Sequence, residues 1–255
     1  MINRLVKYML GIVACVMILA ATGCAVNREK EHTVPDKTQA AQSKPKERKI
    51  ACIGDSITFG AGVHQTRDQD SYPAKLSGLL GSGYTVLNYG ISGKTLLNGT
   101  NTPYRAMDFF EESKQALPDI VLIMLGTNDS KAYNWNAGEY EKQLEEFVDI
   151  YKGLPSGPEV YLMTCCAAFG AEDSDVVAFH VNKSVIANEV NPIIRRVAEK
   201  CRVPVIDIYE VTKEHSGYFV DGVHPNAEGN EVIAQAVYEA IEASGADRKT
   251  RDEQK

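Results

Sequence analysis

Ile50-Ala51-Cys52-Ile53-Gly54-Asp55-Ser56-Ile57-Thr58-Phe59-Gly60 is an apolar run that stops on a glycine and delivers a serine. It reads as the first strand of a parallel sheet with Ser56 just past its carboxyl end. In open α/β sheets, ligands sit outside the carboxyl ends of the strands, so a reactive side chain placed there meets substrate. The rest of the chain can be asked whether it supplies what a weak serine nucleophile needs.

Working outward, residues 72–80 place Leu76, Leu79 and Leu80 at helical spacing, and Gly81 and Gly83 stop the helix. Residues 84–88 read as a second strand, 104–115 as a helix, and 119–125 as a third strand with one polar member in seven, the habit of strands covered on both faces. Residues 138–151 carry Tyr140, Leu144, Phe147, Val148 and Tyr151 on one helical stripe. A fourth strand is expected over 160–164, a long helix over 176–201 that kinks near Pro192, a fifth strand over 203–208 and a closing helix over 227–243. This alternation predicts one three-layer α/β domain over residues 48–245 and a frayed polar tail over 246–255. Polar clusters follow the first, second, third and fifth strands, which puts them on one rim of the sheet.

A serine hydroxyl needs an imidazole to take its proton, and the imidazole is best held by a carboxylate. Of five histidines, His32 lies in a polar amino-terminal stretch, His64 in a loop and His180 in an expected helix. His215 has no carboxylate at a spacing that serves one site with it. Asp221-Gly222-Val223-His224-Pro225 sets a carboxylate and an imidazole three apart in a turn, where one loop aims both at the same point. Donors for an oxyanion are also required. The candidates are the N–H groups of Ser56 and Gly93, with Gly90 as an alternative to Gly93, and the side-chain amide of Asn128. Asp55 and Asp129 read as structural groups that bond loop backbone.

Four blocks then stand in order: Gly54-Asp55-Ser56-Ile57-Thr58, Ile91-Ser92-Gly93, Gly126-Thr127-Asn128-Asp129 and Asp221-Gly222-Val223-His224. Together they resemble the SGNH hydrolases, also called GDSL esterases and lipases, over nearly all of residues 48–245. The resemblance implies a flavodoxin-like, three-layer α/β/α fold with a five-stranded parallel sheet of order 2-1-3-4-5. It also implies Ser56 as nucleophile, His224 as base and then acid, Asp221 as its orienter, and an oxyanion hole of Ser56, Gly93 and Asn128. No metal or cofactor is called for. An α/β-hydrolase would require G-x-S-x-G at the nucleophile, which the chain does not provide. A two-metal phosphoesterase built on Asp55, Asn128, Asp129 and His224 would lack an Asp-x-His on the first strand.

Substrate contacts are less marked. Trp135, the one tryptophan, follows the Asn128 loop and could stack on a sugar ring or pack against its own domain; Phe59 and Tyr72 are further candidates, with packing favoured. Cys165-Cys166 stands at a strand end where relatives often place prolines. Either cysteine could join a disulfide, though buried thiols fit the spacing better.

The first 49 residues differ from the rest. Arg4 and Lys7 precede the apolar residues 8–21, too short for a membrane span but suited to a signal-peptide core. The Ala21-Thr22-Gly23-Cys24 that follows resembles a bacterial lipobox, which implies cleavage after residue 23 and lipidation of Cys24. Cys15 would leave an apolar core below the roughly 7-residue minimum. Residues 24–47 are polar and cannot bury enough surface to offset their ordering entropy, so a flexible tether is expected. Of 27 Lys/Arg and 34 Asp/Glu, residues 1–49 hold nine and four, which leaves residues 50–255 with a net charge of −12. Such acidity argues against nucleic acid as a partner. With the family resemblance, the short apolar content of the rim loops and Trp135, the expectation is an extracytoplasmic, lipid-anchored esterase that takes short acyl groups, acetyl above all, from small-molecule or carbohydrate esters. The alternatives are a lysophospholipase or thioesterase with a longer acyl pocket, and a lipoprotein that binds glycans without catalysis.

Overall fold

The structure, a computed structural model, describes residues 47–252. The expected leader over 1–23, Cys24, and the tether up to residue 46 lie outside the described residues, as do residues 253–255. Five strands, β1 (Arg48–Gly54), β2 (Tyr84–Gly90), β3 (Ile120–Met124), β4 (Glu159–Met163) and β5 (Val205–Ile206), form one sheet of order β2-β1-β3-β4-β5. Every pairing is parallel, in register Cys52↔Asn88 and Cys52↔Leu122 across β1. The three-layer α/β/α fold of order 2-1-3-4-5 is present.

Strand periodicity of two explains the layers. Ala51, Ile53, Val121, Ile123 and Leu162 face one core, and Ile50, Cys52, Ile120, Leu122 and Met163 face the other. Helices α1 (Ser56–Phe59), α2 (Tyr72–Leu80), α3 (Asp108–Gln115), α4 (Ala137–Lys152), α5 (Asn191–Cys201) and α6 (Ala227–Asp252) connect and cover the strands. The first core takes Tyr140, Leu144, Phe147 and Tyr151 of α4 with Ile193, Ile194 and Val197 of α5; the second takes Tyr72 and Leu76 of α2 with Ile233, Val237 and Ile241 of α6. Phe147 meets the rings of Tyr104, Phe110 and Tyr151 at centroid distances of 6.2, 5.5 and 5.4 Å. Truncating so central a ring to alanine costs about 3–5 kcal/mol.

Four expected elements differ from those observed. The helix over 104–115 splits at Met107, which is extended (φ −99°, ψ 147°), because Tyr104 is committed elsewhere: its N–H donates to Thr95 O and its hydroxyl to Tyr89 O. The helix over 176–201 is not continuous. Residues 176–182 form a small hairpin closed by an antiparallel bridge between Val176 and Asn182. A π-helical turn, Ile186–Val190, then precedes α5, where Pro192 has no N–H to continue an i→i−4 ladder. Strand β5 is two residues long, since Pro204 offers no donor and Asp207 already caps the next short helix. Finally, α6 runs on to Asp252 where a frayed tail was expected from 246; Gly245 costs about 1 kcal/mol, too little to stop an established helix.

Candidate active site

Strand β1 ends where it does because of Gly54. A Cβ there would lie 2.0 Å from Thr58 Oγ1 and 2.9 Å from Met124 O, so only glycine lets the turn close. Asp55 then caps α1, its Oδ1 accepting from Ile57 N–H at 2.9 Å, and Gly60 at φ +93° ends the helix after one turn. Ser56 opens this turn at the carboxyl edge of the sheet.

The turn that carries His224 is folded by its own carboxylate. Asp221 Oδ1 accepts from the N–H groups of Val223 (3.0 Å) and His224 (2.8 Å), and Oδ2 lies 2.7 Å from His224 Nδ1. Gly222 adopts φ +83°, and a Cβ there would fall 2.1 Å from Phe169 O. With Nδ1–H donating to Asp221, the tautomer leaves a lone pair on Nε2, which lies 2.9 Å from Ser56 Oγ. Burial pushes Asp221 upward, but the His224 ring and the two backbone N–H groups outweigh it and hold the carboxyl below the usual carboxylate range. The geometry thus brings together a hydroxyl, an imidazole and an ionised carboxylate from segments 168 residues apart.

Ser56, Gly93, Asn128 and His224 line one cavity of about 210 Å³, together with Ala61, Ser92, Thr127, Lys131, Phe179, Val181 and Val223. Gly90 is the poorer donor candidate, because its N–H already donates to Asn88 Oδ1 at 2.9 Å and a Cβ on it would strike Phe59 N at 2.2 Å. Gly93 has φ +78° with open space around it. Asp129 stitches the two loops together, accepting from Leu96 N–H (3.0 Å) and Leu97 N–H (2.8 Å). Asn128 Nδ2 donates to Lys94 O at 3.1 Å and makes a longer contact, 3.4 Å, with Asp55 Oδ2. Burial is the first cause that raises Asp55 to about 6 and Asp129 to about 7, against backbone hydrogen bonds that lower both. Burial also holds Lys131 below the ordinary lysine range, although the two carboxylates pull the other way. Asp129 is spent on loop backbone and Asp55 on the first turn of α1 and the Asn128 amide, and among the described residues no group of three or more His, Cys, Asp or Glu is placed to hold a metal.

None of the three suggested substrate contacts lines this cavity. Tyr72 is fully buried, its hydroxyl 3.1 Å from Thr58 Oγ1, and cannot reach a ligand. Trp135 donates from Nε1 to Glu189 Oε2 at 2.8 Å and packs its ring on Tyr140, so it braces α4 outside the cavity. Phe59 lies under the Arg67 guanidinium at 3.9 Å and lines a neighbouring groove. Cys52, Cys165, Cys166 and Cys201 are free thiols. What the sequence reading missed is Phe179, exposed at 54% and edge-on to the His224 ring at 4.9 Å. It sits in the stretch read as helix, and nothing in its neighbours' residue types signals the hairpin.

Comparison with known proteins places this geometry among relatives. The GDSL-like lipase/acylhydrolase family pattern matches residues 52–232. An acetylxylan esterase from Xylanibacter ruminicola is 34% identical across 76% of this chain and 43% of that protein. A multidomain esterase from Ruminococcus flavefaciens is 30% identical across 74% of this chain and 23% of that protein. The chain therefore spans less than half the length of either. In structure it is similar to a carbohydrate acetylesterase family member from Sinorhizobium meliloti, with a TM-score of 0.61 at 22% identity over 76% of this chain and 97% of that one.

Proposed function

We propose, since the chain belongs to the GDSL-like lipase/acylhydrolase family, that it is a serine carboxylic-ester hydrolase removing acetyl or other short acyl groups from carbohydrate. The observation that carries the reading is the unbroken row from Ser56 Oγ through His224 to Asp221, at 2.9 and 2.7 Å. In this mechanism Ser56 Oγ attacks the ester carbonyl carbon while His224 Nε2 takes the hydroxyl proton. Asp221 stabilises the imidazolium and keeps its ring in place. The oxyanion is met by the N–H groups of Ser56 and Gly93 and by Asn128 Nδ2, which exchanges its long contact with Asp55 for the developing charge. Collapse breaks the bond to the alcohol oxygen, which leaves with the proton from His224. Water then attacks the acyl-serine, giving its proton to Nε2, and Ser56 recovers that proton as the carboxylic acid departs.

A cavity of about 210 Å³ suits a short acyl group, and the identity to an acetylxylan esterase favours an acetylated sugar. A second reading has its own support: Ser92 also borders a groove of about 550 Å³ lined by Phe59, Ile91, Met107 and Phe109, which could take a longer acyl chain. The decisive experiment measures acetate release from acetylated xylo-oligosaccharides alongside a series of nitrophenyl esters. Preference for acetate supports the first reading, and preference for octanoate overturns it in favour of a lysophospholipase or thioesterase. A fluorophosphonate that labels wild type but not Ser56→Ala supports the acyl-serine step; a wild type that fails to label revives the glycan-binding alternative.

The same proposal places the enzyme outside the cytoplasm, anchored by a lipid on Cys24. The support is the apolar stretch over 8–21 followed by Ala21-Thr22-Gly23-Cys24 and a polar tether. Cys24→Ala should move the protein from the detergent phase to the aqueous phase, and persistence in detergent would refute the anchor.

A further inference from the structure

We infer that Phe179 is the platform on which the alcohol half of the substrate, a pyranose ring, rests during deacylation of the sugar. The inference deepens the esterase reading and depends on it. The leaving oxygen must take its proton from His224 Nε2, so the sugar has to emerge beside the imidazole. There the side chain of Phe179 stands, its ring centroid 4.9 Å from that of His224 with an interplanar angle of 65°. Among the described residues, the large exposed apolar side chains are Leu79, Leu117, Tyr133, Val176, Phe179 and Val220, and of these Phe179 lines the cavity. A pyranose offers an aromatic ring the apolar C–H surface of its flat face while its hydroxyls remain in water, so an aromatic side chain with one wet face is a fitting partner.

The backbone fixes in advance the point from which that ring projects. Phe179 (φ 57°, ψ 22°) and His180 (φ 61°) are consecutive left-handed residues without being glycine, a conformation that survives where the surroundings enforce it and that collects at functional sites. Val177 N–H donates to Val181 O at 2.8 Å across the hairpin, and Asn182 N–H donates to Ser130 Oγ at 3.1 Å, which itself donates to Thr127 O. Val181, buried to 1% exposure, pins the base of the turn beside the cavity. A hairpin held this way loses little backbone freedom when a ligand covers the ring it carries.

The test compares kcat/KM for acetylated xylobiose with that for ethyl acetate, which has no ring to stack. In Phe179→Ala the ratio should fall about tenfold through a higher KM for the sugar ester, and Phe179→Trp should restore most of it. An unchanged ratio in Phe179→Ala overturns the inference. So does an equal loss of kcat on both esters, which would mean that the ring positions His224 and no more. Phe179→Gly tolerates the left-handed backbone without a Cβ and gives the same readout if the alanine variant does not fold. A wild type that hydrolyses neither ester and takes no fluorophosphonate sinks the esterase reading and this inference together. A wild type active on both, with a constant ratio across variants, sinks the inference alone.

Discussion

Beneath the cavity, Asp55 and Asp129 are buried at 1% and 0% exposure and are pushed toward the neutral form; at its rim, Asp221 keeps 31% of its side-chain surface exposed and is held ionised. The same side chain does opposite things in these two regions because its partners differ. Asp129 is given the backbone N–H groups of Leu96 and Leu97, which shapes a loop, but burial outweighs them. Asp221 has two backbone N–H groups and, in addition, an imidazole in contact, which the proposed mechanism makes cationic. A strong upward pKa shift therefore marks the scaffold here, and a downward one marks the pair at the rim, the reverse of what a search for the largest shift would pick out.

The comparison breaks most sharply in kinetics. Ser56→Ala or His224→Ala should lower kcat by about 10⁴-fold or more, and Asp221→Asn by roughly 10³–10⁴-fold with little change in melting temperature. If Asp221→Asn keeps near-normal kcat in a stopped-flow ester assay, the rim carboxylate is not the orienter. Asn128→Ala should cost about 10²–10³-fold in kcat through the missing oxyanion donor, with KM for small esters moving far less. A loss confined to KM would remove Asn128 from that role.

The buried pair is sharpened by stability measured against pH. A carboxyl whose folded pKa is raised contributes stability that is fully present below its unfolded value, near 4, and lost as pH climbs through the folded value. For Asp55 and Asp129 that window runs from 3.8 up to about 6 and about 7. Asp221 works the other way, contributing stability above its unfolded value that is lost as pH falls through its lowered folded one. Urea unfolding at pH 4.5 and 7.5 should show wild type losing on the order of a few kcal/mol across the interval from the buried pair. Asp129→Asn, which keeps one acceptor and cannot ionise, should flatten that slope; a slope identical to wild type would mean that Asp129 is ionised throughout.

Much of this site was legible because its key residues lie in short local patterns. An apolar run ending in glycine announces both the sheet and the place of Ser56, and a carboxylate three residues before a histidine announces a turn that can aim both. Asp129 could be read as a loop-bonding group from its place after a strand. The hairpin over 176–182 was not legible, since its form is enforced from afar, by Ser130 Oγ accepting from Asn182 N–H, and demands left-handed backbone from a phenylalanine. The break at Met107 has the same origin, a tyrosine bonded to strand β2, and so does the burial of Tyr72. Long-range partners override local pattern at each of these points.

The smallest effect concerns Trp135 and separates it from Phe179. By sequence it is a candidate ring for a sugar with packing against its own domain favoured, and it does pack: its indole donates to Glu189 Oε2 and leans on Tyr140, 5.3 Å between centroids. Trp135→Phe keeps an aromatic body and removes one hydrogen bond to a carboxylate, a loss of about 1 kcal/mol. For a domain of this size that lowers the melting temperature by roughly 2–4 °C. The ratio of sugar-ester to ethyl-acetate turnover should stay at the wild-type value, because the bond that is lost braces α4 and does not border the cavity. Should that ratio fall while the melting temperature holds, the sugar reaches past the Lys131 side of the cavity to Trp135, and the two rings exchange the roles assigned to them.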